Sequence, residues 1–322
     1  DLTGAGEWAH HFPAREGGAN ATSCIACHNS PSANGAGDVA VNVIRDPTHS
    51  GDPSLFLERN TLPLFALGAP QRVAEEMSAE LVRQREALSE EACEAGVAET
   101  QMQAKGVDFG TLRAERREGD VCEVAIDVAG LEGVDEDLVV RPFGWKGNHA
   151  TIRGFTRDAA HNELGLQGVE LVGTADGDFD GVTSELSVGD MTALTIYMAG
   201  LERPVSTLEL ADLGLMEMSN AEIAEIKLGE EQFGEVGCAN CHRPELALDD
   251  PVFREPSATP GYFDETFVDG SEPGSHGLTG AVAIAFDMSK DQPNNRIELD
   301  GDEHHLGALP VDASGRTVAR LY

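Results

Sequence analysis

Two stretches decide how this chain is read: "ATSCIACHNSPSANG" at 21–35 and "FGEVGCANCHRPEL" at 233–246. Each carries Cys-x-x-Cys-His, as Cys24, Cys27 and His28 in the first and Cys238, Cys241 and His242 in the second. Two thiols at this spacing match the two vinyl groups of a porphyrin, and the adjacent histidine can turn under the iron as its axial ligand. The pattern predicts two covalently attached haem c groups, with His28 and His242 on the irons. A redox-active dithiol has no need of the histidine. A four-ligand zinc site would need two pairs from distant and unrelated surroundings to meet. Pro31, Gly35 and Gly37 follow the first motif and Pro244 the second, so each haem-binding turn runs quickly into a loop. Ahead of the second motif, Ile223, Ile226 and Phe233 fall at helical spacing, which predicts a helix ending at Gly234 or Gly237.

The composition, 322 residues with 41% hydrophobic and 25% charged, suits two domains with their own cores. The most apolar stretch, "MTALTIYMAGL" at 191–201, is too short and too polar to span a membrane, so the chain is expected not to be membrane-spanning. Asp and Glu number 57 against 22 Lys and Arg, a net charge of −35, and such a field disfavours nucleic acid and anionic membranes. It suits a basic redox partner or a salty medium; a plain solubility role stands beside these. The chain begins at Asp1 without a basic-then-apolar leader, the form expected of a mature exported protein and equally of a trimmed one. With haem attachment taking place outside the cytoplasm, a periplasmic or extracellular location is expected.

Between the motifs, 71–105 is charged and proline-free, with Val73, Met77, Leu81 and Leu88 at helical spacing; one or two surface helices are expected, with Met77 in their core. Residues 120–143, "DVCEVAIDVAGLEGVDEDLVVRPF", alternate and turn like a short β-hairpin or two. Cys93 and Cys122 flank this insertion. A disulfide between them is the simplest account, and two buried free thiols remain open. "DGDFDG" at 176–181 sets Asp176, Asp178 and Asp180 at alternate positions before Gly181, the first half of a calcium loop. Glu185 does not fall at the twelfth position of a full EF-hand, and a solvated acidic turn is the alternative. A helix is expected to start after Gly189 and Asp190 and stop before Pro204, with a domain boundary in 203–218.

Together with both motifs, "RNTLPLFALG" at 59–68, "RPFGWKGNHATIRGFTRDAAHNELGLQ" at 141–167 and "DGDFDGVTSELSVGDMTALTIYMAGLERP" at 176–204 give the chain a resemblance to the di-haem c-type oxidoreductases described as peroxidases or thiol oxidoreductases. These are relatives of bacterial di-haem cytochrome c peroxidases and, more distantly, of di-haem rubber oxygenase. The resemblance spans about residues 20–322. It implies a mainly α fold of two cytochrome-c-like haem domains, with the short β-hairpin insertion and long loops. The first would cover 1–205, with its insertions at 71–143, and the second 206–322, apparently short of the family's C-terminal segment.

The resemblance also implies that one haem handles a small oxidant such as peroxide while the other relays electrons, and that a structural calcium sits between the domains. Trp145 matches the tryptophan that relays electrons between the haems, and Glu163 matches the glutamate of the catalytic pocket. Phe155 stands where the family has a glutamine, leaving Glu163 to take and return the peroxide proton alone. A carboxylate buried beside a haem would have its pKa raised, which suits that task; an exposed helix-end glutamate is the bland alternative. His161, His149 and His49 could instead close the first iron from its distal side. His276, Met288, His304 and His305 are the corresponding candidates for the second. If both irons are six-coordinate, the chain is an electron carrier and not an enzyme. Oxygenation of an organic substrate is a third reading.

Overall fold

In the computed structural model the described residues are 9–11, 14–16, 21, 23–30, 35, 37, 44–45, 52–55, 57–58, 61–144, 147–174, 181–201, 203–240, 242–259, 262, 284–290, 296–299, 302–305 and 308–320. They form β1 (Ala9–His11), β2 (Ala14–Glu16), β3 (Ile44–Arg45), β4 (Leu57–Glu58), α1 (Gly68–Ala95), β5 (Val97–Ala104), β6 (Val107–Arg116) and β7 (Val124–Asp127). There follow α2 (Ile152–Asn162), α3 (Val169–Val172), α4 (Val188–Ala199), α5 (Thr207–Asp212) and α6 (Asn220–Glu235). The last part holds β8 (Glu245–Ala247), β9 (Val252–Glu255), β10 (Ile284–Asp287), β11 (Arg296–Leu299), β12 (Asp302–His305) and β13 (Val318–Arg320).

The mainly α expectation is therefore wrong: six helices among the described residues stand beside antiparallel sheets, a mixed fold of α and β. Helical periodicity holds only to Ala95. The segment 97–104, expected to be helical, is a strand with alternating burial, because Ala98, Met102 and Ala104 all point to one core. It pairs with β6 across a two-residue turn at Lys105 and Gly106, both at positive φ (49° and 75°), the geometry that glycine permits and that matches strand twist. Of the hairpin expected in 120–143 only Val124–Asp127 is extended, as the third strand of this sheet, against β6. Beyond the second motif lie short strands, some with remote partners: β8 pairs with β13, and β9 with β10.

The chain forms two compact units, each assembled from separated segments. One comprises Asp1–Ala79, Gly133–Leu201 and Phe253–Phe286. Here α2 packs on α4, and the side chain at their heart is a charge. Arg153 of α2 is 1% exposed and uses all five of its N–H groups: Nε and Nη2 donate to Glu170 of α3, Nη1 to Glu255 of β9 (2.7 Å) and Thr192 of α4 (3.0 Å), and Nη2 to the Val188 carbonyl (3.1 Å). Burial alone would lower the guanidinium pKa, but the bonds and charges of Glu170 and Glu255 outweigh it, and the pKa is raised. Nearby, Gln71 of α1 donates to Glu75 and accepts from the Ile152 amide at the start of α2.

The other unit comprises Glu80–Glu132, Glu202–Val252 and Asp287–Tyr322. Leu81, Leu88 and Ala92 of α1 are buried, as are Met102, Leu112 and Ala114 of the three-stranded sheet. The register of β5 and β6 shifts between Gln101 and Gln103, and the Gln84 side chain takes up both backbone groups of Gln103, donating to its carbonyl at 2.6 Å and accepting from its amide at 3.1 Å. Cys93, in the last turn of α1, is disulfide-bonded to Cys122 in the β6–β7 connection, with a Cα–Cα separation of 5.8 Å. Arg116 of β6 donates to the Cys93 carbonyl at 3.0 Å alongside it.

Replacing Cys93 and Cys122 together by Ser is expected to lower unfolding free energy by about 3.6 kcal/mol, the loop-closure value for a cross-link of this span, as read from urea titrations. Arg153→Met should cost roughly 3–5 kcal/mol, because the buried Glu170 and Glu255 would lose the cation that bonds them both, with Arg157 left at 3.7 Å from Glu170. Arg153→Lys should recover only part of that loss, since an ammonium cannot make the bidentate pair.

Candidate functional site

The first Cys-x-x-Cys-His is a tight turn. Cys24–Ala26 form one 3-10 turn, and the amides of Cys27 and His28 both donate to the Cys24 carbonyl, at 3.1 and 3.0 Å. The following loop folds back onto 61–64: Gly35 donates to the His28 carbonyl (3.1 Å), Ser30 to Gly37 (2.8 Å) and Leu64 to Gly35 (2.8 Å). At Gly37, where φ is +79°, a Cβ would lie 2.6 Å from the Thr61 carbonyl oxygen, so the close approach of the two segments requires glycine.

The side chains gathered here are polar and partly enclosed. Cys24 and Cys27 are free thiols. Burial first, then the Glu163 carboxylate and Cys24, push the Cys27 pKa up and hold it as a thiol. His28 is displaced the other way: burial lowers its pKa, and a backbone hydrogen bond at Leu62 and the charge of Glu163 only partly offset this, so the imidazole is neutral at pH 7. His28 Nδ1 is buried with no hydrogen-bond partner among the described residues, and so is Thr61 Oγ1. Glu163 caps the C-terminus of α2, half-buried, and its carbonyl accepts from the Ala21 amide at 3.1 Å, just before the motif. The structure thus brings Glu163 and the first motif together. His161, two residues earlier, is 1% exposed.

His149 lies 3.6 Å from the Asp158 carboxylate and edge-on to Phe155, at 5.6 Å between ring centroids. Its backbone closes a loop with Phe143, and the ends of that loop are held by Tyr262, whose buried hydroxyl meets the carbonyls of Val140 (3.1 Å) and Ala150 (2.8 Å). Burial and then Glu75 raise the pKa of this phenol, which stays protonated. Trp145 in the same loop, Asp176, Asp178 and Asp180 of the acidic turn, and Cys241 lie outside the described residues, as do His49 and His276. Glu185 is half-buried and accepts from the Gln167 amide at 2.7 Å. Among the described residues no group of three or more His, Cys, Asp or Glu is arranged to hold a metal ion.

In the other unit, α6 leads into the second motif. Ser219 and Glu222 form a reciprocal capping box at its start, and the bonds from Ser219 hold the Glu222 carboxyl below its ordinary range. The helix ends at Glu235; Cys238–Asn240 form a 3-10 turn, and the His242 amide donates to Cys238 at 2.9 Å. The exposed His242 ring stands edge-on to Phe233, with centroids 6.2 Å apart. No residue of α6 is buried, and Leu228 (55%), Phe233 (40%) and Val236 (70%) are open to solvent. Near its N-terminus a shallow depression of ≈ 600 Å³ is lined by residues including Met216, Met218 and Ile223. Arg243, after the motif, donates to the Gly106 carbonyl at 2.7 Å, and Lys105 pairs with Asp249 at 3.1 Å. Met288 is 7% exposed, its backbone bonded to Pro251 and Leu309. The His304 backbone pairs with Ile297 of β11.

Among the described residues the two motifs are compatible with haem: free thiols at Cys24, Cys27 and Cys238, one neutral histidine with an unengaged nitrogen, another beside uncovered apolar side chains. Sequence reasoning did not single out Thr61, Tyr262 or Arg153, whose roles depend on partners far along the chain. Comparison with protein-family models, curated proteins and solved structures finds no match.

The lowered pKa of His28 makes a signed prediction for the haem-free chain. The unfolded state binds a proton near pH 6.5 and the folded state only at lower pH, so this residue costs no stability above about pH 6.5 and progressively more as pH falls through the folded pKa. His28→Gln should flatten that part of the stability–pH curve, and NMR titration of the imidazole should give a midpoint below that of a free histidine.

Proposed function

We propose that the protein is an exported di-haem c-type oxidoreductase of peroxidase-like activity, with one haem on Cys24, Cys27 and His28 and the other on Cys238, Cys241 and His242. The observation that carries the reading is the repeated Cys-x-x-Cys-His, supported at the first copy by the neutral, partly buried His28 beside the Glu163 carboxylate. Bound haem supplies a redox-active iron able to pass electrons to an oxidant such as hydrogen peroxide.

The chain's own contributions follow. His28 and His242 each offer an imidazole nitrogen to an iron. Glu163 takes the proton from the near oxygen of peroxide and returns it to the far one. Trp145 serves as electron relay. Asp176, Asp178, Asp180 and Glu185 are the ligands for calcium in this reading, with one Glu185 oxygen already engaged by Gln167. The Cys93–Cys122 disulfide supports a periplasmic or extracellular location, where such bonds persist. The charge of −35 favours a basic redox partner protein and disfavours nucleic acid. No helix among the described residues is long and apolar enough to cross a membrane.

A second reading, an electron carrier with both irons six-coordinate, is favoured by the complete burial of His161, a candidate distal ligand two residues before Glu163. Optical and EPR spectra of the haem-loaded protein separate the two. A high-spin haem in the half-reduced protein that reacts with hydrogen peroxide, and loses that reaction in Glu163→Gln, is the expected result. Two low-spin haems inert to peroxide would leave the electron carrier. A protein with no covalent haem by the pyridine haemochrome assay would end both.

A further inference from the structure

We propose that the Thr61 hydroxyl is an anchoring group for the haem of the first motif, donating a hydrogen bond to one of the porphyrin's propionate carboxylates. The inference rests on the haem reading above and names a residue that neither the motif nor the resemblance assigns. Thr61 Oγ1 is buried and has no hydrogen-bond partner among the described residues. A hydroxyl left that way is unfavourable, and such groups persist where a ligand supplies the missing bond.

A second, independent observation marks the same place. The next residue, Leu62, makes the backbone hydrogen bond to His28, whose Nδ1 is likewise buried without a partner among the described residues. Thr61 is thus the chain neighbour of the residue bonded to the histidine of the haem motif. Thr61 is also held in place. Its carbonyl lies against Gly37 with no room for a Cβ, and Leu64 is bonded to Gly35, so the segment is fixed on the motif's own loop.

The chemistry selects the atom that completes the hydroxyl. Haem c carries its polar atoms in two propionate carboxylates, which accept hydrogen bonds. Glu163 already brings negative charge to this site, acting on both Cys27 and His28. A carboxylate entering beside it needs a donor, and a neutral hydroxyl supplies one without adding a buried cation to be paired.

The test uses the full chain matured with haem. Thr61→Val keeps the shape and removes the donor; Thr61→Ser keeps the donor. Thr61→Val should move the propionate bending band in resonance Raman to lower frequency and lower the midpoint potential of one haem while leaving the other unchanged. Thr61→Ser should read as the parent. Should Thr61→Val fail to accumulate, Thr61→Ala is read by the same two signals. Unchanged band and potential in a donor-free variant carrying both haems, or a Thr61→Ser that behaves like Thr61→Val, overturns the proposal. Absence of covalent haem in the parent protein instead overturns the haem reading, so the two failures are distinct.

Discussion

The unit that carries the first motif is organised around one buried cation. Arg153 is surrounded by Glu170 from α3, Glu255 from β9, and Thr192 with the Val188 carbonyl from α4. A guanidinium in this setting is tolerable only when every N–H is satisfied and its charge is matched, so the three surrounding elements must all be in place together. The same helix that supplies Arg153 is capped by Glu163, whose carbonyl is bonded to Ala21, three residues ahead of the CIACH turn. The position of the candidate carboxylate thus depends, through α2, on an ion network that touches none of the proposed chemistry.

What could be read from the sequence was local. The two pentapeptides carry their meaning in a spacing of three residues, and the helical spacing of Ile223, Ile226 and Phe233 announces the helix before the second. The fold was less legible. The change at Ala95 from helix to strand occurs inside a uniformly charged stretch, where "QMQAK" fits either periodicity and only the burial of Met102 and Ala104 decides. Strands β8, β9, β10 and β13 are three or four residues long and pair with remote segments, so nothing within each strand distinguishes it from a loop.

The candidate site divides in the same way. Glu163 was reached by resemblance, and the structure places it where its charge acts on Cys27 and His28. Thr61 lay within a quoted block but gained significance only from Gly37 packing against its carbonyl. Tyr262 acts on carbonyls more than a hundred residues away along the chain. Such roles are properties of contact, and a single sequence holds no local signal for them.

The helix before the second motif shows another side of this dependence. Since α6 buries none of its side chains, the polypeptide core contributes little to holding it, and its order rests on its cap and on short-range pairs such as Gln232 with Glu235. A segment of that kind is marginal until something flat and apolar covers Leu228, Phe233 and Val236. On the haem reading, attachment at Cys238 and Cys241 then becomes a late step in folding this region, because the helix leading into it gains its apolar cover only from the group attached.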